Sequence, residues 1–207
     1  MKKTLIYFFI LLLSSSCTPK IFNGFDSSGK KFMVKSDLFP LVVDTTLMYN
    51  MEISHKKVDH SGLLLVKPTE NQSIRMLFTS FSGLTIFDFE FNEKEFNVIR
   101  CLDVLQKKKI LDLFKKDFRA LFSYNLPMEF EANVYIKDES QLGYKVKTQD
   151  GKAYFITHEM QLKKIEMPTF ATSLQIDYKD YINNLPKNIL ITHPSLKLSI
   201  QLEQIEQ

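Results

Sequence analysis

Short runs of alternating apolar and polar residues begin at Leu47 and continue almost to the end of the chain, and a helical period breaks them only once. Leu47, Tyr49, Met51 and Ile53 alternate with Met48, Asn50, Glu52 and Ser54, the period of a half-buried strand. Ser61 to Lys67 is almost continuously apolar and stops at the turn Pro68-Thr69-Glu70-Asn71. Ile74, Met76 and Phe78 then oppose Arg75, Leu77 and Thr79. Beyond Ser80-Phe81-Ser82-Gly83, the residues Thr85, Phe87, Phe89 and Phe91 share one face, with Asp88 and Glu90 on the other. A short turn at Asn92-Glu93-Lys94 leads to a fifth strand through Phe96, Val98 and Ile99.

Near residue 103 the period changes from two to 3.6. Ile110, Leu111, Phe114, Phe118, Leu121 and Phe122 fall on one side of a helix expected over 104–123. Lys108, Asp112, Lys115, Lys116 and Arg119 fall on the other, which reads as a solvated face. Asp103 is the expected N-cap, and Leu126-Pro127 follows the end. Strands then resume through Leu142 to Lys147, and Asp150-Gly151 marks a hairpin. Tyr154 to Glu159, Leu162 to Met167, Leu174 to Tyr178, Asn188 to Thr192 and Leu196 to Leu202 complete the series. The expectation is a mainly β protein: a strongly curved antiparallel sheet of about ten strands, an unclosed β-barrel wrapped around one amphipathic α-helix.

The first seventeen residues address the chain. Lys2 and Lys3 precede an apolar stretch from Leu5 to Leu13, and Ser14, Ser15 and Ser16 lead to Cys17. This reads as a lipoprotein signal over 1–16, with Ser14 where an aliphatic residue is usual. Cys17 is therefore the expected lipid attachment site, carrying N-acyl and S-diacylglycerol groups, and three acyl chains anchor firmly. Residues 17–40 read as an acylated tether that gains an edge strand near Lys31 to Lys35, and 41–207 as one domain. No acidic residue follows the cysteine in Thr18-Pro19-Lys20-Ile21, which points to the periplasmic face of the outer membrane. Of 27 Lys and Arg, Lys2 and Lys3 leave with the signal, so 25 face 24 Asp and Glu, and the mature chain is nearly neutral. That balance argues against a nucleic-acid partner. Cys101 is left as a single thiol in a strand-like setting and reads as a small buried hydrophobe.

Together with the anchor and the strand count, three stretches carry a family resemblance: His60-Ser61-Gly62-Leu63-Leu64-Leu65-Val66-Lys67, the run from Gly83 to Phe91, and Lys116-Asp117-Phe118-Arg119-Ala120-Leu121. They resemble LolB-like and LolA-like outer-membrane lipoproteins of the Bacteroidota type. The resemblance implies an unclosed barrel whose concave apolar face accepts acyl chains, without a cofactor and without catalysis. It also implies a membrane-contact loop, which falls on Phe81 here, although Phe81 could equally fold back to cover the sheet end. Ile74, Met76, Phe78, Phe87, Phe89 and Phe91 form a candidate apolar cavity, although each taken singly reads rather as core packing, with the helix filling that space. The expected role is acceptor or carrier in lipoprotein or lipid transfer to the outer membrane. Its partners would be membrane lipid, lipoprotein acyl chains and a periplasmic carrier, with the protein a monomer. A scaffold or assembly lipoprotein of an envelope complex is the alternative.

Catalytic patterns are absent from the sequence. His55 and His60 lie five apart across a turn, His158 and His193 are remote from them, and no HExxH, CxxC or nucleophile-elbow motif occurs. Each histidine reads as a surface or strand-edge residue, and neither a metal site nor an enzyme is expected. Asp88 and Glu90 share a strand face, but alternate residues on a strand sit about 7 Å apart by geometry alone. Their pairing carries no catalytic weight.

Overall fold

The computed structural model describes residues 20–35, 45–56, 58–69, 73–123, 126, 129–168 and 173–205. Its first strands are β1 (Asp26–Lys35), β2 (Leu47–His55), β3 (Val58–Pro68), β4 (Ile74–Ser80), β5 (Thr85–Phe91) and β6 (Phe96–Cys101). Helix α1 (Lys108–Leu121) follows. The chain returns to the sheet as β7 (Glu129–Ile136), β8 (Gln141–Thr148), β9 (Gly151–His158) and β10 (Gln161–Pro168), then β11 (Ser173–Ile182), β12 (Leu185–His193) and β13 (Leu198–Gln204). All thirteen form one antiparallel sheet in the order β1-β7-β8-β9-β10-β11-β12-β13-β2-β3-β4-β5-β6, and it does not close on itself.

Thirteen strands replace the expected ten or so. β7 was hidden because one of its inward positions is only Ala132 and the run begins just past Pro127. β1 does form an edge strand, but it starts earlier than Lys31, at Asp26, with an irregularity between Ser27 and Lys31 where Gly29 takes a positive φ. The helix is shorter than 104–123. Asp103 opens a separate 3-10 turn (Asp103–Leu105), and the true N-cap is Lys107, which makes no side-chain cap bond. No helix among the described residues is long and apolar enough to cross a membrane.

Two matching repeats fasten α1 to β5. Every fourth helical residue advances about 6 Å, and every second strand residue advances about 6.6 Å. The helix row Phe114, Phe118, Phe122 can therefore run beside the strand row Phe87, Phe89, Phe91 nearly in step. Ring centroids lie 5.6 Å apart for Phe87 and Phe114, 6.4 Å for Phe89 and Phe118, and 5.9 Å for Phe91 and Phe122. Within the rows, Phe87 stacks on Phe89 and Phe114 on Phe118. Cys101 is buried beside this cluster, as its setting suggested, and burial pushes its thiol pKa up.

Polar residues of the helix do not all face water. Arg119 is buried, contrary to the solvated face expected for it, because its Nη2 donates to the Glu93 carbonyl at 2.9 Å. On the outer face of the sheet, Arg75 grips Asp88 with two bonds, Nε to Oδ1 at 2.9 Å and Nη2 to Oδ2 at 2.6 Å. Asp88 is thereby a buried partner in an ion pair.

The tether docks on the domain. Period-two alternation sends Tyr144, Val146, Ala153 and Phe155 to the main core and Gly143, Tyr154 and Ile156 to the opposite face of the sheet. There a 3-10 turn (Lys20–Phe22) delivers Phe22, fully buried, against Tyr135, Tyr154 and Phe25. Gly143 makes the notch: a Cβ there would lie 2.7 Å from the Phe22 ring. Gly143→Val is expected to eject Phe22 and cost about 1–3 kcal/mol. Hydrogen exchange would show faster exchange at residues 20–25 with the core unchanged; unaltered protection there would contradict the notch.

Candidate functional site

Antiparallel alternation brings the β2 to β3, β4 to β5, β8 to β9 and β12 to β13 connections, and the exit of β6 toward α1, to one end of the sheet. At that end a cavity of about 640 Å³ opens between helix and sheet. The volume lies within the ~300–1,000 Å³ of sites that hold small ligands. Its deep wall is apolar: Ile53, Ile86, Phe114, Met167 and Leu174 are buried, and Ile110, Leu113 and Leu198 are half-buried. The rim carries exposed His55, Val58, Val104, Lys109, Asp112 and Lys116. The turn that displaces the helix start supplies Val104 and Leu105.

A buried polar pair interrupts the apolar wall. His193, at the end of β12, and Asp117, on α1, are 2% and 0% exposed and both line the cavity. His193 Nε2 sits 3.0 Å from Asp117 Oδ1 and 2.9 Å from Oδ2. Both carboxyl oxygens are thus within hydrogen-bond distance of the one ring nitrogen. Burial pushes the Asp117 pKa up, and the His193 bond and charge pull it part of the way back. Two polar atoms on the cavity wall have no partner among the described residues: His193 Nδ1 and Asp150 Oδ2.

The candidate cavity residues occupy other ground. Ile74, Met76, Phe78, Phe87, Phe89 and Phe91 are buried at 0–2% exposure in the main core, and none lines the cavity. Helix α1 fills the space beside the three β5 phenylalanines, and the open volume lies further toward the strand ends, where Ile86 rather than Phe87 faces it. Phe81 is 67% exposed at the tip of the β4 to β5 hairpin, so it does not fold back over the sheet. Ser80 closes this turn: its carbonyl accepts from Gly83 N at 2.9 Å, its amide donates to the Leu84 carbonyl at 2.8 Å, and its Oγ accepts from Leu84 N at 3.1 Å. Leu84 beside it is exposed as well. Cys17 lies outside the described residues.

His55 is exposed and His60 and His158 are half-buried on strands, as expected, whereas His193 is buried. Of the four in the chain, three line this cavity, His55, His60 and His193, and the last is neither a surface nor a strand-edge group. A signal for the buried pair was present in the helix pattern. Asp117 lies three residues after Phe114 and four before Leu121, on the apolar stripe itself, and a carboxylate there needs a partner. No group of three or more His, Cys, Asp or Glu among the described residues is placed to hold a metal ion.

Fold and site together define a mainly β protein whose single open antiparallel sheet and one helix enclose an apolar, histidine-bearing cavity. No family model matches this chain, and no curated protein matches it.

Proposed function

We propose that this chain is a membrane-anchored lipoprotein whose cavity takes up acyl chains, and that it serves as acceptor or carrier in lipoprotein or lipid transfer to the outer membrane. The sheet curves around α1, and the helix fills one part of the concave side and leaves the other open. The observation that carries the reading is the apolar cavity of about 640 Å³, whose mouth lies at the same strand ends as the exposed Phe81, Leu84, Val58 and Val104. Burying each methylene of a chain in such a site is worth roughly 0.8 kcal/mol, enough to move a lipid through water without covalent chemistry. The LolB-like resemblance and the Cys17 signal fit this role, with the protein at the periplasmic face of the outer membrane and a periplasmic carrier as its partner.

Phe81 supplies the contact with a lipid interface in this account. Phe22 is held near the start of β8, at the opposite end of the strands from the Phe81 hairpin. Cys17 is five residues from Phe22, a reach of at most about 18 Å. Anchor and hairpin therefore meet one bilayer when the strands lie along its surface. Phe81→Glu is expected to leave the melting temperature within about 2 °C, because surface changes away from special features cost within about 0.5 kcal/mol. Transfer of a labelled lipoprotein from carrier to vesicles is expected to fall at least tenfold in that variant. Unchanged transfer would remove the hairpin from the mechanism.

The scaffold reading has an observation of its own. Edge strands β1 and β6 carry exposed Phe32, Met33, Val98 and Ile99, which would suit strand addition by a partner protein. It leaves the cavity without a use.

A further inference from the structure

We infer that His193 is the polar anchor of the cavity, and that the ligand it selects is a single acyl chain whose carbonyl or carboxylate oxygen accepts a hydrogen bond from Nδ1. This rests on reading the cavity as an acyl-chain site and adds the part of the lipid that is recognised. A carboxyl group buried as deeply as Asp117 needs a hydrogen-bonding partner, and His193 is bonded to it. With Nε2–H bonded to the carboxyl group, a proton on Nδ1 makes that atom the donor that remains for a ligand. Nδ1 is buried and lacks a partner among the described residues, and a buried donor left unpaired costs about 1–3 kcal/mol. An acceptor oxygen brought in by a ligand removes that cost, whereas a plain hydrocarbon or a donor-only headgroup does not. Asp150 Oδ2 is also unpaired, but its residue is only half-buried at a turn and stands closer to water.

The site is graded to suit such a molecule. The pair lies among the deep residues, with Phe114, Met167 and Leu174 beside the same cavity, while charged Lys109, Asp112 and Lys116 stand on the rim. A chain with its oxygen at His193 therefore lies against apolar side chains for the rest of its length. Polar groups of this kind set orientation and choice in pockets that are otherwise apolar.

The test compares three ligands of equal chain length, palmitic acid, methyl palmitate and hexadecylamine, by native mass spectrometry of the full chain released from detergent. Palmitic acid and methyl palmitate offer an acceptor oxygen, and the ammonium of hexadecylamine offers only donors. Wild type is expected to retain the first two at least tenfold more tightly. The double variant Asp117→Leu/His193→Phe replaces the pair with side chains of similar volume, an exchange that buried ion pairs often tolerate without loss of stability. It is expected to bind all three within about twofold of one another. Equal binding of the three by wild type, or a tenfold preference that survives in the double variant, would overturn the anchor and leave the acyl-chain cavity standing. If wild type retains none of the three, the acyl-chain reading fails, and the anchor with it. Should the double variant not fold, His193→Gln serves in its place: it keeps an amide N–H for Asp117, removes Nδ1, and is expected to lose the same preference.

Discussion

Phe118→Ala is expected to lower folding stability by about 3–5 kcal/mol, the range for removing a buried phenylalanine from a close-packed core. Phe118 is fully buried and its ring meets Phe87, Phe89, Phe91 and Phe114, so the change leaves a void at the centre of the contact between helix and strand. The surroundings cannot collapse into it easily, because the partner rings are fixed by the strand repeat on one side and the helix repeat on the other. A domain of this size holds about 5–15 kcal/mol in all, so the loss is a large share of the total. Urea denaturation followed by circular dichroism should show a lower midpoint with an unchanged slope, and melting should fall by roughly 6–20 °C. A loss under about 1 kcal/mol would mean that the helix does not close this core.

His193→Ala is expected to do comparable damage by another route. It removes the one side chain among the described residues that is bonded to the Asp117 carboxyl group, which is 0% exposed, and breaking a buried pair by removing one partner costs about 3–5 kcal/mol. Removing both partners together should behave differently. Asp117→Leu/His193→Phe deletes the carboxylate and the imidazole at once, and the expected stability is within about 1 kcal/mol of wild type or above it. Denaturant midpoints of the two variants separate these cases. Equal losses in both would show that the pair contributes through shape and packing, with charge pairing playing no part. The pair spans two elements 76 residues apart in sequence, so it also fixes α1 against the end of β12.

Alternation made most of the sheet legible, because a strand with one buried face must repeat every two residues. The sides assigned to Ile74, Met76 and Phe78, and to Phe87, Phe89 and Phe91, are those observed. β7 escaped because Ala132 is a weak mark of an inward position. The candidate site was less legible, for a physical reason. Periodicity tells which face a residue occupies, but it does not tell how far along a strand the helix reaches. The β5 phenylalanines therefore served both as core and as candidate cavity, and they are the part the helix packs against, while Ile86, of the opposite parity, faces the open end. His193 could not be placed from its own neighbours, since its burial depends on Asp117. The turn residues left Phe81 open between an exposed tip and a cover for the sheet end, and the hairpin holds it exposed.

The central claim is that the cavity beside α1 holds acyl chains. Its most direct test is native mass spectrometry of the full-length protein drawn from its own membranes in mild detergent, with bound lipid released and identified. A stoichiometric lipid or lipopeptide is predicted, beyond the chains attached at Cys17, and a Leu113→Trp substitution at the half-buried cavity wall should displace it. An empty cavity in a protein that comes out bound to a stable protein partner would contradict the account.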